Sequence, residues 1–296
     1  MKRIMLVFAV LSAGLAHGVS AQCLPPLLPP DAQPPCDERY PEWAGEMAVL
    51  GANALLGGVS AGVMQRLHGG SFSDGFVRGL VGGAVIYGGK RVAVERFGGA
   101  GLAGREIAAV GASMIRNIGE GRGMLEQIVL PVGPVRVYLQ SSGPRVRVRA
   151  DAHAVGWLLY GIYESELRFD AGMSVSAGTP VFVSDSRLIL TGRDSTHASG
   201  LARPGVIIVA DIPAFGRENA RRSFEHERAH VIQMDQIFLT MTDPVEDYAM
   251  LRVPVLRRIE PFLDINLSSQ LLDLLSGRIP KHLDRPWETE AIYLSR

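Results

Sequence analysis

The segment His226-Glu227-Arg228-Ala229-His230 contains residue types that could bind and use a metal ion. On a helix, residues four apart project from one face, so both imidazoles can reach a single zinc ion at roughly 2.0–2.1 Å. Glu227 can take a proton from a water molecule whose pKa the zinc lowers to about 7. The segment therefore predicts zinc-dependent hydrolysis, with His226 and His230 as metal ligands and Glu227 as the catalytic base.

The surrounding residues favour a helix that is entered from a strand. Apolar residues recur at helical spacing from Ala220 to Phe238, and Pro213 and Gly216 indicate a turn before them. The β-favouring run Val206 to Ala210 precedes that turn. The alternative interpretation is a surface helix on which the two histidines are incidental.

Two histidines leave a catalytic zinc site one protein ligand short, because such sites normally take three. A metzincin would have Gly and His where this chain has Gln233 and Gln236, which argues against that subfamily. Downstream, Trp287-Glu288-Thr289-Glu290-Ala291 resembles the Glu-x-x-Ala motif on the second helix of gluzincin metallopeptidases. The resemblance implies Glu288 as the third ligand; Glu290 is the alternative, and a site that uses neither remains open.

The segment 226–233 is also similar to the His-Glu-x-x-His-Val-x-Gln variant of secreted bacterial zincin-like domains. The resemblance covers about the last eighty residues and implies a peptidase fold more firmly than peptidase activity. Ile292 stands where the family has an Asp, so the usual outer carboxylate on this helix is missing. Three residues are candidate donors to the oxyanion of a tetrahedral intermediate, each with a structural role as the alternative: Tyr248, His282 and Tyr293.

The first residues of the chain are typical of an exported protein. Lys2 and Arg3 precede an apolar run from residue 4 to 16, and small residues occupy the positions that a signal peptidase reads. We therefore expect a signal peptide at 1–21, followed by a Pro-rich segment at 22–42. The two cysteines of the chain, Cys23 and Cys36, lie in that segment, and we expect them to form one disulfide in the periplasm, the envelope or the extracellular medium.

Residues 43–126 are rich in Gly and Ala and predict tightly packed helices. Small residues four apart, such as Gly58 with Gly62 and Gly79 with Gly83, allow helices to approach closely. The uncharged run 47–65 is just long enough to span a bilayer, so a buried or interfacial hairpin, which we favour, and membrane association are both open. The stretch 69–79 also resembles, in composition, glycine-rich regions of secreted bacterial toxins and repeat proteins.

One motif in this region has the form of a nucleotide-binding site but is explained by its glycine content. The segment Gly99-Ala100-Gly101-Leu102-Ala103-Gly104 matches the Gly-x-Gly-x-x-Gly dinucleotide fingerprint and follows a strand-like run at 91–95. In a segment so rich in glycine this pattern easily arises by chance. An exported protein also rarely meets a soluble nicotinamide cofactor. We expect turn glycines here and no nucleotide cofactor.

Residues 127–212 contain short β-favouring runs at 135–139, 146–148, 180–183 and 188–190, and predict a sheet lobe. The resemblance to gluzincins implies that such a lobe supplies an edge strand beside the zinc helix, with which an extended peptide could pair its backbone. Residues 213–296 are again expected to be helical, and they contain the predicted metal ligands. The expected fold class is α+β, with a zincin-like domain at 127–296 after the helical region.

The net charge indicates no particular partner, since 30 basic and 30 acidic residues balance. Because the basic residues form no stripe, we expect no nucleic-acid partner. The alternating arginines at 145, 147 and 149 predict a solvated strand face. We therefore expect an exported Zn²⁺-dependent metallopeptidase-like hydrolase that acts on a peptide or protein substrate. The alternative is a non-catalytic envelope or membrane-associated protein with a vestigial zincin-like domain.

Overall fold

The computed structural model describes residues 42–95, 97–142, 145–184, 200–210, 216–244, 246, 252–276 and 286–295. The expected signal peptide, the pair Cys23 and Cys36, and the strand expected at 188–190 lie outside the described residues. Tyr248 and His282 also lie outside them.

The N-terminal part of the described chain is helical, as predicted. Its three long helices are α1 (Glu42–Leu67), α2 (Phe72–Ala93) and α3 (Ala100–Gly119). Glycines bring α1 and α2 into backbone contact: a Cβ at Gly57 would lie 2.6 Å from the carbonyl oxygen of Gly79, and a Cβ at Gly83 would lie 2.1 Å from that of Asn53. Since no larger residue could occupy these positions without a shift, the glycines set the spacing of the hairpin.

Within the described residues, one helical stretch, Gly45–Leu67, is long and apolar enough to cross a membrane. In its most apolar window 44% of the residues are buried inside the protein, where they pack against α2. A core helix of a soluble protein passes the same test of length and composition. Membrane association through residues 47–65 therefore stays a prediction.

In the described part of the chain, two four-stranded mixed sheets follow these helices. The strands are β1 (Gln127–Val132), β2 (Val135–Gln140), β3 (Arg145–Asp151), β4 (Leu167–Phe169), β5 (Val181–Ser184), β6 (Gly200–Arg203), β7 (Val206–Ala210) and β8 (Leu263–Asp264). The first sheet has the order β1-β2-β3-β8, and its one parallel pair is β3 with β8. The second has the order β4-β5-β7-β6, and its one parallel pair is β5 with β7. The predicted α+β class is confirmed.

The remaining helices alternate with these strands or follow them. They are α4 (Ala152–Tyr163), α5 (Ala171–Ala177), α6 (Gly216–Ile237), α7 (Leu256–Ile259), α8 (Ser268–Ser276) and α9 (Pro286–Leu294). Helix α6 carries the His-Glu-x-x-His segment and continues into a π-helical turn at Phe238–Thr242. Helices α4 and α5 were not predicted.

Helix α6 is the central element of the fold. Its residues Phe224, Val231 and Met234 pack on one face of the second sheet, together with Ile207 of β7. Other residues of α6 and the π-helical turn, Ile232 and Phe238, lie in a core shared with α2, α3 and the first sheet. Because α6 packs against elements on several sides, its side chains are held in fixed directions.

The strand β7 is buried on both faces. Ile207 and Val209 face α6, whereas Val206, Ile208 and Ala210 pack on the side of α4. A strand covered on both faces reads as a continuous apolar run, which is what the sequence shows here.

A network of buried charges fills the space beside the first sheet. The side chain of Arg149 donates to Asp264 at 3.0 Å, and the hydroxyl of Tyr138 donates to the same carboxylate at 2.9 Å. Arg136 pairs with Asp151 at 2.7 Å. The predicted solvated arginine face is therefore wrong at Arg149, which is 2% exposed, because β8 supplies a carboxylate that the strand pattern does not reveal.

The run at 91–95 that was expected to be a strand is instead the end of α2 and the turn after it, so that prediction was wrong. Gly99 has a left-handed φ of 83° and precedes α3. A Cβ at Gly101 would lie 2.3 Å from the carbonyl oxygen of Ser176, and a Cβ at Gly104 would lie 2.3 Å from the backbone nitrogen of Ala93. These glycines therefore serve a turn and close packing.

Candidate metal centre

Three side chains predicted as metal ligands meet between α6 and α9. The Nε2 atoms of His226 and His230 lie 3.0 Å apart. Oε2 of Glu288 lies 3.3 Å from the first and 3.2 Å from the second. Among the described residues this is the group of His, Cys, Asp and Glu side chains whose ligand atoms are close enough to share one metal ion.

The donor atoms form a nearly equilateral triangle, which is the arrangement that a tetrahedral ion requires. Ligand atoms placed at roughly 2.0–2.1 Å from zinc in tetrahedral directions lie roughly 3.3 Å from one another. The observed separations of 3.0, 3.2 and 3.3 Å are close to that value. Two imidazoles and one carboxylate are also a donor set that zinc uses in catalytic sites, so the residues fit the ion.

The close packing of two helices positions these donors. His226 and His230 lie one turn apart on α6, and Glu288 lies in the first turn of α9. Between the helices, Ala229 and Ala291 are both buried in one apolar cluster. Small side chains at this contact let α9 approach α6 closely enough for the carboxylate to reach both rings.

The second ring nitrogen of His230 is held by Gln233, three residues further along the same face of α6. Nδ1 of His230 lies 2.7 Å from Oε1 of Gln233. Nε2 of Gln233 donates to the carbonyl oxygen of Trp287 at 3.0 Å and to Oε2 of Glu290 at 2.8 Å. Metal-binding histidines usually have such a partner on the nitrogen that faces away from the metal.

Glu290, the alternative ligand, is not among the three donors that meet. Its carboxylate accepts hydrogen bonds from the ammonium of Lys90 at 2.8 and 2.9 Å and from the amide of Asn53 at 2.6 Å. Burial by itself raises the pKa of Glu290, but the charge and hydrogen bonds of Lys90, with those of Asn53 and Gln233, lower it below its ordinary value. Glu290 is therefore an ionised carboxylate that contacts Gln233, the partner of His230, and is not one of the three donors.

The electrostatics of the triangle favour a proton on His230 when no metal is present. Burial lowers the pKa of this ring, but the hydrogen bond to Glu288 and the charges of Glu288 and Glu227 outweigh burial and raise the pKa to about 9. A metal ion can bind Nε2 only after that proton leaves. The negative charge that retains the proton also attracts a divalent cation.

Glu227 lies on the side of α6 that faces the edge strand β6. A Cβ at Gly200, the first residue of β6, would lie 2.6 Å from Cγ and 2.8 Å from Oε1 of Glu227. The glycine therefore leaves the space that the Glu227 carboxylate occupies. Among the described residues β6 has β7 as its only strand neighbour, so it forms the edge of the second sheet next to Glu227.

Tyr293, one of the candidate oxyanion donors, lies on α9. Its ring packs in the apolar cluster between α1 and α9, and its hydroxyl would lie 3.4 Å from a Cβ at Gly45 of α1. Its role as an oxyanion donor stays a prediction. Sequence reasoning missed Gln233, Lys90 and Asn53; only Gln233 had a local signal, its spacing of three residues from His230 on the helix.

Comparisons with protein-family models, with curated proteins and with solved structures find no match for this chain.

Proposed function

We propose that this protein is a zinc-dependent hydrolase that cleaves peptide or amide bonds. The observation that carries the proposal is the triangle of donor atoms from His226, His230 and Glu288, whose dimensions suit a tetrahedral ion. A fixed set of two imidazoles and a carboxylate leaves one tetrahedral position for water or substrate. Structural zinc sites, in contrast, take four ligands from the protein.

A zinc ion bound to these donors would polarise a carbonyl group and would lower the pKa of a bound water molecule to about 7. Glu227 then acts as general base: its carboxylate accepts the proton of the attacking water and returns it to the leaving nitrogen. Its place next to His226 in sequence, on the α6 surface that faces β6, supports this role.

The edge strand β6 supports an extended peptide as the substrate class. One side of β6 pairs with β7, and the described residues place no strand on its other side. Main-chain groups of a peptide could add to this edge, as in other cases of β-strand addition. Because Gly200 of β6 lies against Glu227, a peptide bound there would run past the proposed base.

The N-terminal sequence supports export as the setting of this activity. A basic start, an apolar run and small residues before position 22 are typical of a secretory signal. We propose that the enzyme acts in the periplasm, the envelope or the extracellular medium.

Metal analysis of the purified protein tests the proposal. We expect about one zinc per chain, lost in His226→Ala and in Glu288→Ala. Glu227→Gln should keep the zinc but lose cleavage of a peptide library read by mass spectrometry, since an amide cannot accept the proton. Glu225→Gln, which changes a carboxylate on another face of the same helix, is the matched control and should keep both. Protein without zinc, or Glu227→Gln with activity within tenfold of the wild type, would contradict the proposal.

A further inference from the structure

The hairpin of α1 and α2 reaches the metal centre through a chain of buried hydrogen bonds. We propose that Lys90 and Asn53 are positioning residues of this centre, which act through Glu290 and Gln233 to hold His230 with Nε2 facing the metal. This inference rests on the proposed metal site. It gives the glycine-rich region, which contributes no metal ligand, a defined part in metal binding.

The orientation of the Gln233 amide is set by its hydrogen-bond partners. An amide NH₂ can only donate, and the Nε2 atom of Gln233 has two acceptors, the Trp287 carbonyl oxygen at 3.0 Å and the Glu290 carboxylate at 2.8 Å. Its oxygen must therefore be the atom that faces His230. That oxygen accepts the Nδ1–H of His230 at 2.7 Å, so the proton stays on Nδ1 and the Nε2 lone pair is left for a metal.

The Glu290 carboxylate, which orients Gln233, is held by Lys90 and Asn53. Lys90 donates to both oxygens of Glu290 and also to Oδ1 of Asn53, at 2.8 Å. The amide of Asn53 donates in turn to Glu290 and to the carbonyl oxygen of Val49. With all these contacts in place, the Glu290 carboxylate stays ionised and strongly attracts the NH₂ of Gln233.

Close packing of α1 against α2 places Lys90 and Asn53 together. Gly83 lies two turns before Lys90 on α2, and a Cβ there would lie 2.1 Å from the carbonyl oxygen of Asn53. Residues seven apart share a helix face, so the contact at Gly83 brings the face that carries Lys90 against α1. The glycines of the hairpin thus bring a lysine and an asparagine of the two helices within hydrogen-bond distance of one carboxylate.

A neighbouring ion pair on α2 differs from the Lys90 pair in its exposure to solvent. Arg91 of α2 pairs with Glu46 of α1 at 3.2 Å, and both side chains are partly exposed. Lys90, one residue earlier, is 2% exposed. Burial of a charged pair carries a desolvation cost that an apolar pair would avoid, so a role for the charge itself is the simpler account.

The experiment compares variants of the full chain by affinity for Zn²⁺ and by the absorption spectrum of bound Co²⁺. Gln233→Met removes the acceptor for Nδ1–H and should weaken zinc binding by about 10–100-fold. Lys90→Met should weaken it by about tenfold, with a changed Co²⁺ spectrum in both variants. Arg91→Met, which breaks the neighbouring exposed pair, is the matched control and should bind like the wild type.

Proton exchange at Nδ1 of His230 is a second measurement, and a double variant replaces Lys90→Met if that protein does not fold. In ¹⁵N-edited spectra of the zinc-loaded protein, the Nδ1 proton of His230 should exchange slowly in the wild type and rapidly in Gln233→Met. If Lys90→Met does not fold, the double variant Lys90→Met with Glu290→Gln removes both charges together and should still show the loss of affinity. Binding within threefold of the wild type in the Gln233 and Lys90 variants, or an equal loss in Arg91→Met, would overturn this inference alone. A wild-type protein that binds no zinc would overturn the proposed function itself.

Discussion

Replacing Gly83 by alanine tests how closely the α1–α2 hairpin is packed. The new Cβ would lie 2.1 Å from the carbonyl oxygen of Asn53 and 2.7 Å from Cα of Ala54, so backbone atoms would have to separate. Overpacking of this kind costs about 1–3 kcal/mol in the free energy of unfolding. Alanine also favours the helix by about 1 kcal/mol relative to glycine, which offsets part of that cost.

Gly88→Ala provides the matched control, because Gly88 lies on the same helix and a Cβ there would meet no atom within 4 Å. The gain in helix propensity is common to both variants, so the difference between their unfolding free energies isolates the steric cost. We expect Gly83→Ala to be less stable than Gly88→Ala by about 1–3 kcal/mol. Urea unfolding with linear extrapolation measures both values. A difference below about 0.5 kcal/mol, which is ordinary for surface substitutions, would refute the packing argument.

Three further predictions follow from other features. Zinc affinity should fall about tenfold for each pH unit below about 9, since His230 must lose its proton to bind; a flat profile in a chelator competition between pH 7 and 9 would contradict this. Asp264→Asn should cost about 1–3 kcal/mol in urea unfolding, because Arg149, which keeps its ion pair with Glu260, loses its second charged partner, and a loss below about 0.5 kcal/mol would argue against the buried network. Intact-mass measurement of the exported protein should show a chain that begins at residue 22 with Cys23 and Cys36 joined, whereas a lipidated Cys23 would exclude this processing.

The parts of the site that follow from local spacing could be predicted from the sequence. His226 and His230 are one turn apart on any regular helix, so their convergence requires only that α6 forms. Glu288 and Glu290 point about 200° apart on a helix, and small residues on the Glu288 side leave room for close approach. The structure separates the two carboxylates accordingly, with one at the histidines and the other at Lys90.

The parts that depend on distant contacts could not be predicted in this way. Lys90 and Glu290 are 200 residues apart, and no periodicity relates two such positions. The burial of Arg149 depends on β8, a strand of two residues that is too short to leave a pattern. Helix α4 was missed although a signal existed, since Asp151 accepts a hydrogen bond from the backbone N–H of Ala154 as an N-cap.

The separation of the donors along the chain has a consequence for the order of folding. Helices α1 to α3 make local contacts and can form early, but His230 meets Glu288 only after a loop of 58 residues closes, and Asn53 meets Glu290 across 237 residues. Assembly of the donor triangle is therefore a late event, completed when α9 docks on α6. A growing chain that has not yet reached residue 286 carries both histidines and the proposed base but no third donor, so synthesis itself delays the assembly of the proposed metal centre.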